Sequence, residues 1–282
     1  MAFSPAIANA IAALFLSDDS RSRTASLAFQ DAGHGYDAFG MHPSYVALGE
    51  VLVSPLYDRY FRVRSHGHEH LPTKGPAIIA GNHSGNLPID GMMIWLDVLR
   101  HSSPPRVARP IADHFVPSLP YLGTLFARGG MVGGSRGNAR TLLDSGEMLM
   151  IFPEGVPGIV KPWSERYQLQ HFRAGHAELA IRHRAPIVPV GIVGGEEQLP
   201  ALFSSRRLGK LVGVPILPIP AVPVPLPVRY HLHYGEPIPV HEEFSPEQAD
   251  DPAVVRDTAD RVKEAVDALI RKGLDQRNGV FE

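Results

Sequence analysis

The chain has 282 residues, 44% of them hydrophobic and 20% charged, which is the make-up of a folded chain long enough for one large domain or two small ones. A formal net charge of −2 gives no whole-chain case for nucleic-acid binding. The absence of cysteine excludes disulfides, a thiol nucleophile and cysteine-ligated metals, and it suits a reducing compartment. Residues 1–16 read as a short helix. Its apolar part, 6–16, is too short to span a bilayer, which needs about 20 residues. It has no basic leader or clear cleavage site, so it is not read as a signal peptide. It can lie flat at an interface or pack on the domain. Residues 17–40 read as a polar loop. Helical spacing returns over 43–60 (Val46, Leu48, Val51, Leu52, Leu56, Tyr60), with Pro55 expected to kink or divide it.

Alternation over 61–66 predicts a strand, and 76–81 a short buried one. A helix is expected over 90–100 and a strand over 106–110. The apolar stretch 114–128, broken by Pro117 and Pro120, predicts a loop with short helical pieces. Residues 129–134 read as a short strand running into a glycine-rich turn, and 138–145 as a helix ended by Gly146. A buried strand over 147–152 stops at Pro153, a polar loop fills 158–170, and a helix covers 172–183. Residues 186–193 form another buried strand, followed over 194–208 by a turn and a short helix. The segment 211–228 is free of charge but carries six prolines, from Pro215 to Pro227, so it cannot be a spanning helix. A strand is expected over 228–234 and a long charged helix over 252–274. Strands alternating with helices predict an α/β fold: a single domain with a mixed, largely parallel sheet flanked by helices, plus N-terminal helices. The expected division is an N-terminal helical segment (1–60), an α/β domain (61–240) and a C-terminal helix packed on it (241–282). No transmembrane helix is predicted.

Four stretches carry the chemistry. In IIAGNHSGNLPID (78–90) a strand stops at Gly81, Asn82 and His83 follow at once, and Asp90 opens a helix. A histidine held by a carboxylate can take a proton from an alcohol, although a loop histidine and a helix-capping aspartate have the same look. In GMVGGSR (130–136) glycines free the backbone to approach an anion and Arg136 offers a guanidinium fork. A βα turn with a solvated arginine is the plain alternative. In IFPEGVPG (151–158) a strand delivers Pro153, Glu154 and Gly155. In IVPVG (187–191) a proline, Pro189, stands inside an apolar strand, which suggests an edge or a bulge. His66, His68 and His70 alternate along what reads as an extended surface segment. The 14 histidines show no metal-ligand spacing, and no metal is expected.

In this order the four stretches resemble the motifs of the glycerolipid acyltransferase family, of the bacterial 1-acylglycerol-3-phosphate type. That family carries NH-x4-D, G-x-x-F-x-x-R, F-P-E-G and V-P-[IV]. Here they fall on Asn82–His83 with Asp90, Gly130 to Arg136, 152–155 and 188–190, so the resemblance covers about 61–239. Six residues separate His83 from Asp90 instead of four, and LPID is similar to the monoacylglycerol and diacylglycerol acyltransferase-like branch. Gly133 and Ser135 replace the bulky and acidic residues expected before Arg136. The resemblance implies that His83 deprotonates an acceptor hydroxyl and Asp90 orients the ring. The alkoxide attacks an acyl thioester, from acyl-CoA or acyl carrier protein, and no other cofactor is implied. Arg136, Pro153, Glu154 and Gly155 would hold the substrate, and backbone N–H groups of the 153–156 or 133–136 turns would face the oxyanion. It also implies a glycerolipid acceptor such as a lysophospholipid, a membrane surface as partner and a cytoplasmic, peripherally associated protein. Residues 1–16 and 211–228 are the candidates for interfacial contact, with Arg206, Arg207 and Lys210 facing anionic headgroups. A thioesterase or a non-catalytic lipid-binding protein on the same fold are the alternatives. The absence of a G-x-S-x-G turn disfavours a serine esterase.

Overall fold

The computed structural model describes residues 4–83, 85, 87–113, 116, 121–211 and 216–282. Its first elements are helical. Helix α1 (Pro5–Phe15) starts where the Ser4 hydroxyl accepts the Ile7 N–H. Helix α2 (Asp18–Ala25) lies inside the stretch expected to be loop. Its sequence, DDSRSRTA, has no apolar stripe to betray it. Polar contacts to the buried Glu50 anchor it instead, from the Ser20 hydroxyl at 3.1 Å and Arg23 at 3.2 Å. Glu50 belongs to α3 (Pro43–Pro55), which passes at Pro55 into a π-helical turn, Leu56–Tyr60. Strand β1 (Arg64–His66) is shorter than expected because Arg62 takes a positive φ of 46° and breaks the extended run. His68 and His70 fall on a single 3-10 turn after β1.

Strand β2 (Ala77–Gly81), helix α4 (Ile89–His101), strand β3 (Ala108–Ala112), helix α5 (Leu122–Arg128), strand β4 (Val132–Gly133) and helix α6 (Arg136–Asp144) follow. Then come β5 (Met148–Ile151), the short α7 (Val156–Ile159), α8 (Gly175–Arg182) and β6 (Ile187–Val193). Residues 114, 115 and 117–120 of the apolar 114–128 stretch lie outside the described residues, as do 212–215 of the proline-rich stretch. Where a turn and short helix were expected, β7 (Ala201–Ser205) leads into α9 (Arg206–Leu211) and pairs antiparallel with β8 (Leu217–Pro220) as a separate two-stranded sheet. Strand β9 (His231–Tyr234), the four-residue α10 (Val240–Glu243) and α11 (Pro252–Gln276) close the chain.

Among the described residues the main sheet has seven strands in the order β1-β9-β6-β2-β5-β3-β4. All neighbours run parallel except β6 and β9, so β1 and β9 oppose the other five. The period of two sorts the side chains into layers. Ala77 and Ile79 of β2, Met148 and Met150 of β5, and Val188, Val190 and Ile192 of β6 face a core shared with α4 and α3. Ile78, Leu149, Ile187 and Val193 face the other core, shared with α6, α8 and α11. Small residues let α11 lie close on that second face: a Cβ on Gly191 would fall 2.7 Å from Leu269 Cβ. Pro189 is in the interior strand β6, not at an edge. The proline is tolerated there because it faces the place where β9 gives out, and Gly235 N–H donates to its carbonyl at 2.9 Å. Among the described residues no helix is long and apolar enough to cross a membrane.

Candidate active site

The site is built on the carboxyl ends of β2, β5 and β6, where an α/β sheet presents its loops. After Gly81 the buried Asn82 side chain clamps the end of β6: its Nδ2 donates to Ile192 O at 3.0 Å and its Oδ1 accepts Ile192 N–H at 2.8 Å. The chain therefore leaves β2 at a fixed height, and the next residue is His83. Its ring stacks on Phe152 from the end of β5, with centroids 4.2 Å apart and planes 9° from parallel. Its Nδ1 lies 2.7 Å from Asp90 Oδ2.

Asp90 sits in the first turn of α4, fully buried, with its second oxygen accepting the Gly91 N–H at 2.7 Å. The six-residue spacer therefore still closes the pair. Gly85 inside it has φ +75°, and a Cβ there would fall 2.3 Å from Gln198 Nε2 and 2.7 Å from Gly195 O. Only glycine suits that turn. Ser84 and Asn86 lie outside the described residues. With Nδ1 committed to the carboxylate, the imidazole has one nitrogen left for a substrate, Nε2, and 14% of the side chain is exposed. That is the arrangement of a general base whose orientation and charge are set by a buried acid.

Glu154 comes from the turn after β5 and is buried. One carboxylate oxygen accepts the His83 backbone N–H at 3.0 Å, and the other accepts the Gln170 N–H at 2.7 Å. Lys161 Nζ stands 3.6 Å away and donates to Glu196 at 2.8 Å. Burial raises the Glu196 pKa above the usual carboxylate range, against the pull of the Lys161 ammonium. Glu154 thus ties three loops together beneath the histidine. The loop is tight: a Cβ on Gly158 would fall 2.9 Å from Glu154 Cβ and 3.1 Å from His83 O. Pro153 is buried and its carbonyl accepts the Arg173 N–H at 3.0 Å. Gly155 has φ +60°, and its N–H is committed to Phe152 O at 3.0 Å, so it is not an oxyanion donor in this geometry.

The structure does not bring all the expected residues together. Arg136 opens α6 with 84% of its side chain exposed and pairs with Glu178 at 3.5 Å. Another arginine stands against the FPEG turn. A Cβ on Gly155 would fall 3.3 Å from the Arg173 guanidinium, which is on the exposed surface. Arg173, Lys161 and Glu196 escaped the reading of the sequence. The acidic pair Glu196–Glu197 directly after the buried β6 was the available signal, since a strand end is where such groups gather.

These positions can be set beside known proteins. A family model described as Acyltransferase matches residues 62–193, the stretch that holds His83, Asp90 and Glu154. The chain belongs to the acyltransferase family. The acyltransferase is 35% identical over 258 residues to an uncharacterized protein of Mycobacterium tuberculosis, covering 88% of this chain and 72% of that one. It is 30% identical over 208 residues to the human DGAT1/2-independent enzyme synthesizing storage lipids, covering 73% of this chain and 60% of that one. Among solved structures it is similar to the 1-acyl-sn-glycerophosphate acyltransferase PlsC of Thermotoga maritima. The TM-score is 0.57 at 16% identity, over 98% of this chain and all of that one, which is a likeness of fold.

Proposed function

We propose that the protein transfers a fatty acyl group from a thioester, acyl-CoA or acyl carrier protein, to a hydroxyl of a glycerolipid at a membrane surface. The observation that carries this is the 2.7 Å contact between His83 Nδ1 and the buried Asp90 carboxylate, which leaves Nε2 as the base. The acceptor hydroxyl gives its proton to Nε2 as its oxygen attacks the thioester carbon. The C–S bond then breaks, and the thiolate takes the proton back from the imidazolium, which Asp90 stabilises. Glu154 acts through His83: by holding its backbone N–H it fixes where the ring stands. Arg173, beside Gly155, is the cation placed to meet a substrate phosphate.

The surface supports an interfacial reaction. Leu14 and Phe15 are exposed on α1. The β7–α9–β8 unit exposes Leu202, Phe203 and Leu208 next to Arg206, Arg207 and Lys210. That unit is rooted at the site, because Gln198, which packs on Gly85, accepts the Leu226 N–H at 2.6 Å through its carbonyl. Apolar side chains beside basic ones are the pattern of peripheral contact with an anionic bilayer.

The deciding assay follows thiol release from palmitoyl-CoA with lysophosphatidic acid, lysophosphatidylcholine, monoacylglycerol and diacylglycerol as acceptors. Release should require an acceptor and fall by about 10²–10⁴-fold in His83→Ala, the usual worth of a general base. Transfer that survives in His83→Ala would overturn the mechanism. Release that ignores the acceptor would make the protein a thioesterase.

A further inference from the structure

Three histidines far apart in sequence meet at one edge of the main sheet. His66 ends β1, and His231 and His233 lie on β9, in the parallel register that pairs His66 with His233. Successive odd positions of β9 share a face, so all three rings project to the side covered by α11. They stack almost in parallel. The centroids of His66 and His233 are 4.4 Å apart and those of His66 and His231 5.9 Å, with planes within 10°. One nitrogen from each lies within 4.8 Å of the other two.

Two features set this cluster apart from a plain packing of rings. First, it is buried and unsatisfied. His231 is 9% and His233 1% exposed, yet both nitrogens of His233 and Nε2 of His231 lack a hydrogen-bond partner. Buried polar atoms without partners are uncommon and ask for a reason. Second, the covering helix makes room for them. A Cβ on Gly273 of α11 would fall 2.8 Å from His233 Nε2, so the glycine is what lets that nitrogen lie against the helix.

We propose that His66, His231 and His233 form a binding site for one zinc-type divalent transition-metal ion, with water completing the ligand shell. Neutral imidazole is a preferred ligand of such ions, and three of them with an open position make a familiar tetrahedral set. The exposed His66 gives the ion its way in. Convergence asks the rings to turn out of their stack about χ2, which is a soft torsion. Arg64, Arg229 and Lys272 stand near the cluster and oppose a dication, while Arg277 is already paired with Glu197 at 2.5 Å. The cluster lies against the last turns of α11, whose carbonyl end favours positive charge. The ion would join β1, β9 and the covering helix. By strand spacing it would lie about 10–14 Å across the sheet from β2, on the face away from α4, so its role is in stability and not in acyl transfer.

The test uses the full chain, stripped with a chelator and dialysed. Zinc titration should load one ion per chain and raise Tm, and cobalt should give the visible absorption of a tetrahedral site. His66→Gln, at the exposed member, should weaken binding by about tenfold or more and abolish the Tm response, while acyl transfer stays at the wild-type rate. His34→Gln, a surface histidine elsewhere, should change nothing. Equal zinc affinity and Tm response in wild type and His66→Gln would overturn the site, as would the absence of one-to-one saturable loading in the wild type.

Discussion

At the scale of single residues, the two arginines separate what a motif can promise from what a fold delivers. Arg136 matches its motif position, but its guanidinium is in solvent against Glu178. An exposed pair of that kind is worth little. Arg173 matches no motif that a reader would single out, and its guanidinium covers Gly155, one residue from the carboxylate that holds His83. A hydrogen bond to a charged group contributes about 1.5–3 kcal/mol. Arg173→Ala should therefore raise KM for a phosphate-bearing substrate by about tenfold or more with little change in kcat, whereas Arg136→Ala should stay within about twofold. Steady-state kinetics with lysophosphatidic acid against monoacylglycerol, at fixed and varied palmitoyl-CoA, would show whose phosphate is bound. The reverse order of effects would return the binding role to Arg136. His83 was legible because it comes directly after an apolar strand, and Asp90 because it stands as a carboxylate at the start of the next helix. Glu154 was legible as a site residue, but its task was not: sequence shows a carboxylate at a strand end and cannot show that both oxygens turn inward to backbone N–H groups.

At the scale of elements, legibility followed the source of each element's stability. The buried strands β2, β5 and β6 and the amphipathic α4 and α11 announce themselves, because apolar burial fixes them and leaves a period in the sequence. Helix α2 is held by polar contacts to Glu50 and leaves none. The β7–β8 pair was hidden by its prolines, Pro218 and Pro220, which a two-stranded ladder tolerates on its open edges. This unit carries a prediction of its own. Its exposed Leu202 and Phe203 lie beside α9 and its basic residues. The double change Leu202→Ser and Phe203→Ser removes apolar area that the fold does not bury. It should leave Tm nearly unchanged but reduce sedimentation with anionic vesicles by several-fold, and lower turnover on vesicle-borne acceptor more than on detergent-dispersed acceptor. Unchanged vesicle binding would assign the interface to α1 instead.

At the scale of the whole molecule, the buried histidines set the response to acid. His176 is buried in α8, with Nδ1 near Arg173 O at 2.9 Å, and burial lowers its pKa from 6.5 to about 4. His231 and His233 are lowered to about 4 as well, chiefly by burial. Between about pH 4 and 6.5 the unfolded chain therefore binds more protons than the folded one at these three positions. Stability rises with pH across that window and is lost as pH falls, by up to about 1.4 kcal/mol per pH unit for each group that differs fully. His101 works in the opposite sense. Its hydrogen bond to the buried Asp97 raises its pKa, so its contribution is present below 6.5 and fades as pH rises through the raised value. Burial pushes Asp97 up, but hydrogen bonds from His101, Tyr57 and Ser65 together with the His101 charge win and lower it, so its contribution is lost only below its ordinary 3.8. Burial also lowers His42 and His66, so five depressed histidines stand against one raised. The raised Glu147 and Glu196 act the other way, their contribution fading as pH rises through their raised values. Denaturant unfolding in chelator-containing buffer should show a loss of stability from pH 7.5 to 5. In His176→Gln, which keeps a polar group against Arg173 O, that loss should shrink, one of the most depressed histidines having gone. An undiminished slope would mean that His176 is charged in the fold. With zinc in excess over the protein the loss should steepen towards pH 5, because protons then compete with the ion for His66, His231 and His233.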